Sequence, residues 1–243
     1  MAKWNGLGRL WHLSGRTWGK GVASWWENSG DLGAHAFLRF LEREQEHARK
    51  CIDLPLANLE VVVVDLETTG YDPDRGDAIL SIGAVAMRGD RLVLGDSFYS
   101  LIDPCRPIPP HVSSLTGIRE EMVRSAPDLA TVLTRFFQFV GDRPLVAHHS
   151  RHERNFLRAA LWKTSRRKFT HRLLDTMLLI RLSGEVIGNG SLDALCARHN
   201  IVISRRHHAY CDAFAAASLW GIYLSLARQN GYTDLRQVYE ALR

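Results

Sequence analysis

Four consecutive valines, Val61 to Val64, run directly into Asp65-Leu66-Glu67 and then Thr68-Thr69-Gly70. Four β-branched apolar residues in a row offer no polar face to water, so they read as a strand buried on both sides. Side chains alternate along a strand, which points Asp65 and Glu67 to the same face. Two carboxylates about 4 Å apart repel by roughly 4 kcal/mol at an effective dielectric near 20. A cation must offset that, and a divalent metal with oxygen ligands is the simplest candidate. Taken alone, the stretch is equally consistent with a turn that begins at Asp65 and leaves Glu67 solvated.

A chain of 243 residues suits one domain of ordinary size with an appendage. No apolar run approaches the roughly 18–20 residues that span a bilayer, so no membrane partner is expected. The N-terminus lacks the apolar segment of a secretory signal, which makes the cytoplasm the expected location. Cys51, Cys105, Cys196 and Cys211 are scattered without a CxxC pair, so neither a zinc ribbon nor a disulfide framework is indicated. The net charge of +5 weakly favours a polyanionic partner.

The first thirty residues differ from the rest. Trp4, Trp11, Trp18 and Trp25 recur every seven residues. On a helix they would form one stripe, with Arg9 and Arg16 opposite, as in an interfacial or docking helix. Gly6, Gly8, Gly15, Gly19 and Gly21 would each cost such a helix about 1 kcal/mol, and an arm tucked onto its own domain is the alternative. His35 to Cys51 reads as an amphipathic helix, and Asp53 to Asn58 as a linker.

Beyond it, strands are expected at Glu60–Asp65, Ala78–Arg88 and Arg91–Leu101, with a hairpin turn at Gly89-Asp90. Pro104 to Pro110 reads as a loop. A helix is expected over Ala126–Val140, a short buried strand over Leu145–Ala147, and helices over Glu153–Trp162, Asp175–Leu182, Ser191–Asn200 and Ala209–Arg228. A three-strand meander followed by alternating helices and strands argues for an α/β sheet with helices on its faces.

Two further polar clusters interrupt apolar surroundings. One is LVAHHSRHERNFLRAAL, which carries Glu153. The other is HHAYCDAFAAASLW, in which His207 and Asp212 lie five residues apart. An unpaired Asp212 among Ala, Phe and Leu would be expensive; helix capping or pairing with Arg205 would be its ordinary explanation. Together, Asp65-x-Glu67, Glu153 after an Ala-His pair, and His207-x-Ala209-x-x-Asp212 resemble the three motifs of the DEDDh exonucleases. That family includes the DNA polymerase III epsilon subunit, RNase T and oligoribonuclease. SSLTGI at Ser113–Ile118, LLDT at Leu173–Thr176 and SLDALCARHNI at Ser191–Ile201 resemble its other segments, so the likeness covers about Leu59 to Arg228.

The resemblance implies a ribonuclease-H-like mixed sheet flanked by helices, here with an N-terminal helical extension. It implies an exonuclease domain over residues 58–230, an extension at 1–57 and a helical tail at 231–243. It also implies a metal-dependent 3′-to-5′ exonuclease acting on DNA and releasing nucleoside monophosphates. RNA or short oligonucleotides are the alternative substrate. A catalytically weak, polymerase-associated binding module is the alternative function. By resemblance, Asp65, Glu67, Glu153 and Asp212 hold two Mg²⁺ or Mn²⁺ ions and His207 is the general base. Substrate contacts are implied for Leu66, Thr68, Thr69, Leu115, His148 and His207, and the expected partners are a nucleic-acid 3′ end and a polymerase subunit. Two metals about 3.5–4 Å apart can activate the water and stabilise the leaving oxygen. The sequence departs from the family at Glu153, where aspartate is usual and one methylene shorter. His148, His149 and His152 could suggest zinc, but no thiolate or HExxH spacing accompanies them.

Overall fold

The computed structural model describes residues 51–243, apart from positions 187 and 189. The tryptophan-rich arm and the helix expected from His35 lie outside the described residues. Within the described residues five strands form one mixed sheet: β1 (Glu60–Thr68), β2 (Ile79–Arg88), β3 (Arg91–Leu101), β4 (Leu145–Ala147) and β5 (Leu173–Asp175). Their order is β3-β2-β1-β4-β5. The first three make the expected antiparallel meander, and β4 and β5 join parallel to β1. This is the ribonuclease-H-like sheet that the resemblance implied.

The valine run supplies the centre of that sheet. Val61 to Val64 are each at most 1% exposed, and burial of a side chain of this size contributes roughly 1.5–3 kcal/mol. Val61 and Val63 belong to the core formed with the longest described helix, Ala209–Gln229, whose Trp220 and Tyr223 are fully buried. The period of two therefore carries Asp65 and Glu67 to the helix-covered face. Strand β1 was expected to end at Asp65. It continues to Thr68 because the ladder with β2 persists through Glu67↔Ser81 and Thr68↔Ile79, past a register shift after Glu67. The acid pair thus lies within the strand rather than at its end.

Among the described residues, eight α-helices surround the sheet: α1 (Pro110–Thr116), α2 (Glu120–Val123), α3 (Leu129–Val140), α4 (Arg151–Ser165), α5 (Thr176–Leu182), α6 (Leu192–Arg198), α7 (Ala209–Gln229) and α8 (Leu235–Ala241). Helix α3 starts later than expected because Asp128 caps it, accepting from Thr131 N at 2.8 Å. Helix α4 starts two residues earlier than expected and extends to Ser165. Helix α1 begins at Pro110, where the proline-rich loop ends; Pro fits the first helical turn because its missing N–H has no partner there anyway. Strand β5 was not anticipated, since LLD is too short to show a period.

Residues Asp53 to Asn58, expected to be a linker, pack against the domain together with Cys51 just before them. Cys51 and Leu56 are buried in the core that includes Leu235 and Val238 of α8. Arg236 clamps Asp53 with bonds of 2.7 and 3.0 Å. Among the described residues no helix is long and apolar enough to cross a membrane.

Candidate active site

Strands β1 and β4 are parallel neighbours, and the chain leaves them toward opposite sides of the sheet: β1 leads to β2, and β4 to α4 and β5. Such a switch point opens a crevice at the carboxyl ends of the strands. The sequence-predicted acids gather there from three elements. Asp65 and Glu67 come from β1, Glu153 from the first turn of α4, and Asp212 from the first turn of α7.

A glycine makes this approach possible. Gly83 of β2 faces Asp65 across the ladder. A Cβ there would lie 2.2 Å from the Ala209 carbonyl carbon and the Tyr210 nitrogen. Only a residue without a side chain lets the start of α7 rest on the sheet beside Asp65. His207, which leads into that helix, adopts a left-handed conformation with φ 57°. Its backbone N–H donates to Asp212 Oδ2 at 3.0 Å, so the five-residue spacing closes a turn that fixes the Asp212 carboxylate against the His207 backbone.

The second motif is set by Asp175, at the end of β5. Its carboxylate accepts from the backbone N–H of His149 at 3.2 Å, Ser150 at 2.8 Å and Met177 at 2.9 Å. These bonds hold His149 at φ 54° and aim the first turn of α4, with Glu153, at the crevice. His148 is locked as well. Nε2–H donates to Gly190 O at 2.8 Å, and Nδ1 accepts from the Thr176 hydroxyl at 2.7 Å. With both nitrogens engaged, His148 has no lone pair left for zinc.

The acids are crowded and poorly hydrated. Glu67, Glu153 and Asp212 are buried, at 7%, 4% and 2% exposure. Burial and then the neighbouring Asp212 push the Glu67 carboxyl up to about 7. Burial raises Glu153 to about 8, with Asp175 and Glu67 acting in the same direction. Asp65 is raised well above the carboxylate range by desolvation, then by Glu153, Glu67 and Asp212. Asp212 is raised by burial, although Arg206 opposes this. His207 is only partly buried, and desolvation, then Arg206, keeps its imidazole below its ordinary value.

Two buried oxygens in this cluster, Glu153 Oε2 and Asp212 Oδ1, have no hydrogen-bond partner. Buried carboxylate oxygens are costly unless something satisfies them. Ligand atoms of Glu67, His207 and Asp212 all lie within 4.8 Å of one another. Crowded, unsatisfied carboxylate oxygens fit a hard divalent cation.

Among the expected substrate contacts, Leu115 is 50% exposed on α1, whereas Leu66 and Thr69 are buried. The Thr69 hydroxyl accepts from Ala78 N at 2.9 Å, and so supports the turn after β1. Thr68 donates to Gly70 O at 2.6 Å, and its oxygen faces His152 Nε2 at 3.3 Å. Arg205 is not the partner of Asp212. It reaches Thr116 O at 3.2 Å, while the neighbouring Arg206 engages both Asp212 Oδ2 and Asp193 Oδ1, the latter at 2.8 Å. In the run RRHH either arginine suits a helix-start acid, so sequence alone could not choose between them. Gly83 was also missed, although an isolated glycine in an apolar strand marks close backbone approach.

Comparison with known proteins agrees with this geometry. The exonuclease family matches residues 62–220, and the chain belongs to that family, in its DEDDh 3′-to-5′ branch. A DNA polymerase III subunit epsilon-like protein of Rhodobacter capsulatus is 37% identical over 193 residues. That match covers 79% of this chain but only 27% of the relative's length. The fold is similar to exonuclease X in complex with 5′-overhanging duplex DNA, with a TM-score of 0.57, 22% identity, and 74% and 99% of the two chains covered. It is also similar to a 3′-exonuclease that recognises a histone mRNA stem-loop, with a TM-score of 0.61, 18% identity, and 80% and 72% covered.

Proposed function

We propose that the chain removes nucleotides one at a time from the 3′ end of DNA by metal-dependent hydrolysis, releasing nucleoside monophosphates. The observation that carries this reading is the convergence of Asp65, Glu67, Glu153 and Asp212, with two buried oxygens unsatisfied, beside the partly exposed His207. Asp65, Glu67, Glu153 and Asp212 would hold two Mg²⁺ or Mn²⁺ ions. When bound, the ions would supply a nucleophilic hydroxide and stabilise charge on the phosphate and leaving oxygen.

The chain's own residues do the rest. His207, held neutral by its surroundings, takes the proton from the attacking water. The His207 N–H keeps Asp212 in place, and Arg206 balances part of the negative charge. Asp175 positions Glu153 through the backbone of His149 and Ser150. Leu115, half exposed on α1, and Thr68 would touch the terminal nucleotide. All this chemistry lies within residues 58–230, leaving 1–57 and 231–243 for binding or packing. DNA is favoured over RNA by the epsilon-like relative, whose name also motivates a polymerase subunit as partner and the cytoplasm as the place of action.

The test is stepwise shortening of a 5′-labelled strand, with mononucleotide release read from a 3′-labelled one, in magnesium, compared across single-stranded DNA, mismatched duplex and RNA. DNA should be shortened stepwise from its 3′ end, and chelation should stop the reaction. Endonucleolytic fragments, or turnover in excess chelator, would overturn the proposal. Faster turnover on RNA would reassign the substrate.

A further inference from the structure

The charge of this chain is not evenly spread. From Arg151 to Arg172 it carries eight Arg or Lys residues and one acid, the buried Glu153. Removing that segment from the total of 31 basic and 26 acidic residues leaves 23 basic and 25 acidic, so the positive balance resides there. Within it, Arg151, Arg158, Trp162 and Arg166 are all exposed. Spacings of seven and four residues put Arg151, Arg158 and Trp162 on a single stripe of α4, opposite the buried Glu153, Phe156, Leu157 and Ala160, and Arg166, which ends the helix, lies over Trp162. Lys163 and Lys168 extend the exposed charge at the far end.

Ordinary helix electrostatics does not account for this pattern. Cations in a last turn complement the helix dipole, which explains Lys163 and Arg166. The first turn prefers acids, yet Arg151 stands there, and it is exposed. One acid meets the stripe from outside: Asp74, 2.8 Å from Arg158. Trp162 leaves 52% of its surface in water, with the Arg166 guanidinium 5.7 Å from its ring centroid. An exposed aromatic face among cations has the chemistry that binds single strands: bases stack on the ring and phosphates meet the charges.

We propose that the outer face of α4 is a track for the substrate strand, holding single-stranded DNA several nucleotides upstream of the 3′ end being cut. This rests on the nuclease reading above and extends it. The same helix carries Glu153 on its inner face at its first turn, so a strand leaving the site passes round the N-terminal end of α4, where Arg151 stands, to reach the outer face. Thirteen residues separate Glu153 from Arg166, about 20 Å at 1.5 Å per residue. A stacked strand rises about 3.4 Å per nucleotide and an extended one spans roughly twice that, so the distance covers about three to six nucleotides. A strand of three cannot reach Trp162 and Arg166, whereas one of twelve can.

The experiment compares the full-length wild type with a Trp162→Ala, Arg166→Gln, Lys168→Gln variant on dT3 and dT12. These residues lie at the far end of α4 and touch none of the acids. Binding of labelled dT12 is measured in chelator across a salt series, so it does not depend on cleavage. The variant should bind dT12 at least tenfold more weakly. The slope of its log affinity against log salt should fall by about 1.4, for two cations lost from a single-strand contact. Turnover of dT3 in magnesium should stay within twofold. Failure of both proteins to cleave dT3 would sink the nuclease reading, while the binding comparison would still judge the track. Unchanged dT12 affinity or an unchanged salt slope overturns the track. So does a loss of dT3 turnover as large as the loss of dT12 affinity. Arg166→Glu with Lys168→Glu gives a second check, because reversed charge must weaken dT12 binding further than neutralisation.

Discussion

The Arg206 guanidinium contacts the carboxylate of Asp212, which is 2% exposed, while its Nε holds the exposed Asp193 at 2.8 Å. A cation of the chain itself therefore sits against a carboxylate that the family resemblance assigns to metal. Without metal, Arg206 is the main countercharge to Asp212.

The first prediction follows from that contact. Leaving a buried charge unpaired costs about 3–5 kcal/mol. Arg206 is 32% exposed, so solvent screening reduces the loss to about 1–2 kcal/mol. Arg206→Gln should lower the melting temperature in chelator and recover most of that loss in magnesium. Calorimetry with and without metal tests it. Equal destabilisation in both conditions would mean that Arg206 serves packing rather than charge.

A second prediction concerns the acids. Glu67→Ala and Asp65→Ala remove one charge from a repelling cluster. Activity should be lost, and metal-free stability should hold level or rise. Asp212→Ala should abolish activity too, but with less gain in stability, because Arg206 loses a partner. Near-normal turnover of any of the three in magnesium would falsify the ligand assignment.

The pH dependence has a definite sign. Glu67 at about 7 and Glu153 at about 8 bind protons more tightly in the folded chain than unfolded glutamates near 4.3. The folded state thus holds more protons between about pH 4.3 and 8, and metal-free stability must fall as pH rises through that window. A divalent metal displaces those protons, so its stabilising effect should grow over the same window. Thermal melts at pH 5, 6.5 and 8, each with and without magnesium, measure this. A metal-induced shift that is flat or shrinks with pH contradicts it.

Much of this site was legible because its signals are local. The valine run fixed β1, and its period of two put Asp65 and Glu67 on the face that α7 covers. The five-residue spacing of His207 and Asp212 marked a pair that the structure joins through the His207 backbone N–H. Less legible was whatever depends on distant partners. The choice of Arg206 over Arg205 is made by where Thr116 and Asp193 lie, and no local pattern encodes that. The end of β1 is set by its ladder with β2, and the packing of Cys51 to Asn58 by α8, nearly two hundred residues away. Strand β5 is three residues long and has no period to read.

Glu153 allows a sharp substitution test. Its Oε2 is buried without a hydrogen-bond partner, and its backbone is aimed by the Asp175 contacts to His149 and Ser150. Glu153→Gln keeps the shape and removes the charge, so it should reduce turnover by at least about tenfold and weaken metal binding. Glu153→Asp, the residue usual in the family, should retain partial activity. Wild-type rates in Glu153→Gln would leave a site built from three acids.

The last prediction separates two adjacent histidines. His207 is partly exposed at the crevice, and its N–H is bonded to Asp212. His208 instead stacks on Tyr99, with ring centroids 4.7 Å apart and planes 14° from parallel, and its Nδ1 is buried. His207→Ala should lower kcat by roughly 10² to 10⁴-fold with little change in KM, as for a base acting in the transition state. His208→Ala should lower the melting temperature by loosening the Tyr99 stack, while kcat falls by less than about tenfold. The left-handed backbone at position 207 complicates the first variant, since alanine tolerates φ 57° poorly. His207→Asn tolerates that conformation and still removes the base, so it should show the same loss of kcat with a near-native melting temperature. If His207→Asn turns over normally, or if both histidines cost the same in kcat, the proton acceptor is not His207.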